Sequence, residues 1–172
     1  SKYNGFNKKF IFGTVKQNVG VRHRLERLIK AFGIFINESR QIKDNVILHL
    51  HTFPFAMNGI DLLDVISRVG KEIGSDIGKG GFGNIEENIV FSYGDYRSSG
   101  WSENALNVLY NTFDCYCSAS SGEGFGLPTL EAMACEIPVV GPGSSAFIEL
   151  IELVGYGETI GLRGLLCDGC SQ

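Results

Sequence analysis

The chain has 172 residues, 44% of them hydrophobic and 20% charged, enough for one domain with a buried core and too apolar for a chain disordered throughout. No run approaches the ~18 consecutive apolar residues of a membrane helix, and Ser1-Lys2-Tyr3-Asn4-Gly5 opens no signal-peptide stretch. The net charge of −4 argues against a general binder of nucleic acid or anionic membrane.

Residues 1–9 read as a linker segment and 10–172 as one domain. Phe10 to Val15 is a short apolar run that predicts a buried strand. Arg22 to Glu38 predicts a helix, with Leu25, Leu28, Ile29, Phe32 and Ile36 on one face. Val46 to Leu50 predicts a second strand, and Leu62 to Val69 a helix entered near Asp61 and closed by Gly70. Residues 71–88 are glycine-rich. Gly78-Lys79-Gly80-Gly81-Phe82-Gly83 matches GxGxxG, but neither a strand before it nor a helix after it is evident, so a loop is expected there.

Ile89 to Ser92 resumes as a strand. Ser102 predicts an N-cap, with Glu103 in the first turn of a helix to Tyr110. Asp114 to Ser118 is a strand, Pro128 to Cys135 a short helix, Pro138 to Gly141 a strand, and Ala146 to Val154 a helix. Short apolar strands alternating with amphipathic helices predict an α/β fold. Its form is a three-layer, Rossmann-like parallel sheet with helices on both faces. Such sheets bind ligands beyond the carboxyl ends of their strands, which directs attention to the strand-to-helix loops.

Five cysteines, an odd number, do not form a disulfide framework and fit a reducing, cytoplasmic setting. Cys115 and Cys117 alternate along a strand and so share a face. Cys167-x-x-Cys170 lacks the second pair that a zinc site needs. His49, inside an apolar strand, reads as a core histidine. His51 ends that strand near the crevice, and Trp101 reads as packing.

Charge is divided along the chain. Residues 1–40 hold nine Lys/Arg against two Asp/Glu, and residues 41–172 six against seventeen. A basic loop for an anionic ligand and a merely solvated face both fit that split. The densest segment is Ser118 to Cys135, where a strand ends, a loop with Gly122, Gly124 and Gly126 follows, and a helix starts near Pro128. Glycines let backbone approach a ligand closely, and a helix N-terminus suits phosphate. Glu123 and Glu131, eight residues apart, can face one crevice. A turn followed by a solvated helix is the plain alternative.

Glu123-x7-Glu131, within Glu-Gly-Phe-Gly-Leu-Pro-x-Leu-Glu-Ala-Met-Ala-Cys-x-x-Pro-Val-Val, resembles the donor-site signature of retaining glycosyltransferases of GT-B fold. That large family includes mannosyl- and glucosyltransferases and resembles glycogen synthases. Phe10 to Phe32 is similar to its first strand, basic loop and helix, and Leu48-His49-Leu50-His51-Thr52 to its second strand.

The resemblance implies roles. Glu131 would hydrogen-bond the ribose of a nucleotide-diphosphate sugar. Glu123 would contact the transferred sugar at the reacting centre. Gly124, Phe125, Gly126 and Leu127 would meet the sugar and diphosphate through backbone N–H groups. The family holds the diphosphate with an Arg and a Lys in the first loop, and this sequence departs there. His23 falls at the Lys position and Lys16 or Gln17 at the Arg position; Lys16, Arg22 and Arg24 can all supply the charge.

The expected object is therefore the donor-binding domain of a hexosyltransferase, incomplete at its C-terminus and inactive alone. It would need an N-terminal acceptor domain or a partner subunit. No resident cofactor is expected, and no metal, since no Asp-x-Asp stands in a suitable loop. A GT-B-fold sugar-nucleotide epimerase and a non-catalytic nucleotide-sugar-binding module remain as rivals.

Overall fold

A computed structural model describes residues 9–55, 57–75, 85–92, 100–155 and 165–167. Among these residues, six parallel strands form one sheet: β1 (Phe10–Val15), β2 (Val46–His51), β3 (Ile89–Ser92), β4 (Cys115–Cys117), β5 (Val139–Pro142) and β6 (Leu165–Cys167). Their order across the sheet is β3-β2-β1-β4-β5-β6. Six helices connect them: α1 (Gly20–His23), α2 (Leu25–Glu38), α3 (Leu62–Ser75), α4 (Glu103–Tyr110), α5 (Leu127–Ala134) and α6 (Ala146–Gly155). Two 3-10 turns, Arg40–Asn45 and Ile85–Asn88, lead into β2 and β3.

The sheet is covered on both faces, as parallel sheets require. On one face, Leu25, Ile29, Phe32 and Ile36 of α2 meet Leu48 and Leu50 of β2 and Leu62, Val65, Ile66 and Val69 of α3. On the other, Leu109 and Tyr110 of α4 pack with Phe113, Tyr116, Ala132, Met133 and Val139. Gly13 of β1 makes room for this second core, since a Cβ there would lie 2.2 Å from the Phe113 ring.

The α/β architecture and all strands but the last agree with the sequence reading. β6 was not anticipated; it pairs with β5 in parallel register. Helix boundaries differ in two places. The helix expected from Arg22 is two helices, because Arg24 adopts φ +50 and breaks the path between α1 and α2. The helix expected to end at Gly70 continues to Ser75. Gly70 is there for contact: a Cβ on it would come within 3.1 Å of Ile85, and one on Gly33 within 2.4 Å of Ile73. The two glycines let α2, α3 and the turn before β3 pack closely.

The start of α3 follows the expected chemistry, with Asp61 Oδ1 accepting from the N–H groups of Leu63 and Asp64. Ser102 likewise caps α4, its Oγ accepting from the Ala105 N–H at 3.3 Å. Cys115 and Cys117 do share a face, with sulfurs 3.9 Å apart. The GxGxxG segment, Cys170 and residues 93–99 lie outside the described residues. Among the described residues, no helix is long and apolar enough to cross a membrane.

Candidate functional site

From β1 the chain steps outward through β2 to β3, then returns to place β4 on the other side of β1. The loops after β1 and β4 therefore leave their strands in opposite directions, and a crevice opens between them. A cavity of about 1090 Å³ lies at this point. The β1–α1 loop contributes Lys16, Gln17, Asn18 and Val19, the end of β2 His51, the β2–α3 loop Thr52, Phe53, Phe55, Met57 and Asn58, and the β4–α5 loop Glu123. His23, Trp101, Leu106 and Pro128 line it as well.

Lys16 and Glu123 are the charged centre of the cavity. The ammonium donates to Glu123 Oε1, and the two side chains are only 3% and 9% exposed. Burial pushes the Lys16 ammonium below the usual lysine range, with Glu123 holding it up and Arg22 adding to the fall. Burial works against ionised Glu123 too, but Lys16 beside it, with His23 further off, outweighs that cost and leaves its carboxyl below the usual range. Glu123 is thus ionised at neutral pH, and its negative charge favours the ammonium form of Lys16. The floor beneath the loop is polar: the hydroxyls of Thr14, Tyr116, Ser120 and Thr129 are all buried there.

The β4–α5 loop is tied on both sides. Arg22 Nε donates to the Gly122 carbonyl at 3.2 Å, and the Ser121 N–H and Oγ donate to the Arg22 carbonyl at 3.0 and 3.2 Å. Ser145 Oγ donates to the Glu123 carbonyl at 2.7 Å and accepts from the Glu123 N–H at 3.2 Å. Gly126 caps α5 at φ +82, its carbonyl accepting from the N–H groups of Thr129 and Leu130. A Cβ on Gly122 or Gly124 would meet nothing within 4 Å, so a ligand can reach the loop backbone at both.

The structure distributes the sequence-predicted residues unevenly. Glu123, Lys16 and His23 meet at the cavity. His23 Nδ1 lies 2.6 Å from the Gln17 carbonyl. Arg22 spends its guanidinium on the loop backbone, and Arg24 turns to Glu26 of α2 at 3.7 Å. Gly124, Phe125, Gly126 and Leu127 span the rim between Glu123 and Pro128, with Phe125 and Leu127 exposed. Glu131 sits one helical turn beyond Pro128, outside the cavity wall, where the Tyr110 hydroxyl donates to its Oε2 at 2.6 Å. Leu106 and Tyr110 stand four residues apart on α4, so the wall at Leu106 and Pro128 continues directly to the Tyr110–Glu131 pair.

Several contributors escaped sequence reasoning. Trp101, read as packing, stands in the cavity edge-to-face with His51, ring centroids 4.5 Å apart. Asn18 joins two loops: its amide donates to the carbonyls of Phe53 and Ile60 at 3.3 and 2.6 Å, and its Oδ1 accepts from the Ile60 N–H. Tyr110 and Ser145 carry no local motif and act across 21 and 22 residues. The available signal was positional: His51 ends β2 and Asn18 follows β1, at the carboxyl ends where such sheets bind ligands. Among the described residues, no group of three or more His, Cys, Asp or Glu could hold a metal ion.

The profile of the family described as Glycosyl transferases group 1 matches residues 75–168. No curated protein sequence matches the chain. Among solved structures, the C-terminal domain of the glycosyl transferase group 1 family protein LpcC from Francisella tularensis superposes with a TM-score of 0.55 at 18% identity. It covers 95% of this chain and 70% of that one. WaaG, a glycosyltransferase involved in lipopolysaccharide biosynthesis, gives 0.61 at 16%, covering 92% and 33%. An alpha,alpha-trehalose-phosphate synthase (UDP-forming) from Burkholderia xenovorans, in complex with glucose-6-phosphate, gives 0.63 at 11%, covering 96% and 34%. The chain thus spans about a third of the two longer proteins. At these identities the likeness establishes the fold.

Proposed function

The chain belongs to the family of glycosyl transferases group 1, and on that premise we propose that it is the nucleotide-sugar-binding domain of a retaining hexosyltransferase. The observation that carries the reading is the Lys16–Glu123 pair at the switch point of the sheet, beside the glycine-capped start of α5. A lysine ammonium has three donors, and Glu123 occupies one. The others are free to hold the diphosphate, whose charge grows as the sugar leaves. The second oxygen of Glu123 accepts from a hydroxyl of the transferred sugar. In the reaction the bond from the anomeric carbon to the diphosphate oxygen breaks and one to the acceptor oxygen forms. The proton of the acceptor hydroxyl leaves with the nucleoside diphosphate.

Glu131, presented by Tyr110, takes the ribose hydroxyls, and the apolar end of the cavity at Phe53, Phe55 and Trp101 takes the base. The acceptor belongs to a further domain or subunit, so the chain alone binds donor without transferring sugar. Calorimetric titration with UDP-, GDP- and ADP-hexoses tests this, with product analysis in the presence of sugar and lipid-linked acceptors. Saturable binding of at least one donor without transfer is expected. No binding of any donor at millimolar concentration would refute the site, and efficient transfer would refute the half-enzyme assignment.

A further inference from the structure

His49 and His51 lie two residues apart on β2 and share a face. Ser92, the β3 register partner of His51, places its hydroxyl between the two rings. Its Oγ is 2.7 Å from His49 Nε2 and 2.9 Å from His51 Nδ1. Burial lowers the pKa of both histidines, and His49 adds to the fall at His51. Both rings are therefore neutral near pH 7.

A hydroxyl has one proton to give and two lone pairs. Between two neutral imidazoles it donates to one ring and accepts from the other, which allows two arrangements. In the first, His49 Nε2–H donates to Ser92, Ser92 donates to His51 Nδ1, and His51 carries its proton on Nε2. In the second, His51 Nδ1–H donates to Ser92, Ser92 donates to His49 Nε2, and His51 Nε2 is an acceptor. The two rings hold the same tautomer in either case; passing from the first to the second, a proton leaves His51 Nε2 to water and one joins His49 Nδ1 from water, so the net charge of the triad is unchanged.

Both rings are fixed by aromatic neighbours. Trp101 meets His51 edge-to-face, and Phe113 meets His49 at 5.5 Å between centroids and 78°. His51 lines the cavity, and with Nδ1 given to Ser92, Nε2 is the nitrogen left for a ligand. It stands where the charged end at Lys16 gives way to the apolar end at Phe53, Phe55, Met57 and Trp101.

We propose that His51 is a specificity-determining residue that reads the polar edge of the donor's nucleobase. Ser92 and His49 are positioning residues that let its Nε2 serve as donor or acceptor. The assignment rests on the nucleotide-sugar reading of the same cavity.

Calorimetry with UDP, GDP and ADP on the parent, His51→Phe, Ser92→Ala and Ser92→Thr tests the first part. The parent should favour one nucleotide by roughly fivefold or more, the size of one neutral hydrogen bond. His51→Phe should shrink that preference below about twofold, and Ser92→Thr, which keeps the hydroxyl, should retain it better than Ser92→Ala. Nitrogen-15 NMR tests the relay directly, since the chain has only three histidines. His49 and His51 should show the same tautomer, free and bound, and Ser92→Ala should uncouple them. Opposite tautomers in the parent would overturn the relay, and an unchanged base preference in His51→Phe would overturn the reading role. If none of the three nucleotides binds, the donor-site reading falls and this assignment with it.

Discussion

Burial disfavours the charged form of Lys16 and Glu123 opposite favours it, and that balance makes the site sensitive to alkali. A bound diphosphate adds negative charge and raises the Lys16 pKa, so the free chain releases the proton first as pH rises. Affinity for a nucleoside diphosphate should therefore fall with rising pH through the pKa of free Lys16, which lies below the ordinary lysine range. In Lys16→Arg the fall should vanish over the same interval, because guanidinium does not titrate there. Binding measured in steps across the alkaline range checks this, and a parent with no alkaline fall would show that Lys16 does not hold the diphosphate. For Glu131, Glu131→Ala should weaken binding by about 1.5–3 kcal/mol, the range for hydrogen bonds to a charged group. The fold should survive, and Tyr110→Phe should lose part of the same affinity. Unchanged affinity in both would remove the ribose assignment. These residues also mark how far the sequence could be read. Glu123 and Glu131 stand out because one loop and one helix fix their spacing. Their partners do not: Lys16 lies 107 residues from Glu123 and Tyr110 21 from Glu131. Lys16, Arg22 and Arg24 look alike as charges in a loop. Only the backbone path, with its left-handed turn at Arg24, sends one to the cavity, one to the Gly122 carbonyl and one to Glu26.

The elements were legible where a local rule decides them and illegible where a distant contact does. The Ser102 cap, the helical stripe of α2 and the strands β1 to β5 follow from propensity and period. Gly70 stopped a helix on paper because glycine usually does, yet inside α3 it answers to Ile85, which no local pattern reveals. Gly126 is the glycine whose backbone conformation matters to the site. It sits at φ +82, and an added Cβ would lie 2.9 Å from Leu150 Cδ1. Gly126→Ala should destabilise the chain by about 1–2 kcal/mol, the cost of a left-handed backbone for a residue with a Cβ. It should also weaken nucleotide binding by displacing the start of α5. Ser102→Ala should cost about 1 kcal/mol of stability for the lost cap and leave nucleotide affinity nearly intact. Denaturant unfolding together with titration separates the two. Equal binding losses in both variants would mean that the α5 start has no special part in the site.

At the scale of the whole molecule, the strand order places the site. Because β1 and β4 are neighbours with diverging loops, a lysine from the basic first forty residues meets a glutamate from the acidic remainder. The division of charge along the sequence thus becomes a pair at one crevice, while Arg22, Arg24 and Lys30 of that first segment turn to other partners. The parallel α/β class, the crevice edge and the place of His51 near it could be foreseen from the sequence; β6 and the reach of the cavity to Trp101 needed the packed sheet. The central claim is that Lys16, held in place by Glu123, receives the phosphates of a nucleotide. Its most direct measurement compares UDP, GDP and ADP with uridine, guanosine and adenosine on the parent and on the double variant Lys16→Gln/Glu123→Gln. Removing both partners leaves no unpaired buried charge, so the unfolding midpoint should change little. The parent should bind at least one diphosphate more tightly than its nucleoside by about tenfold or more, and the double variant should lose most of that margin. A parent with no such margin, or a double variant that keeps it, would contradict the account.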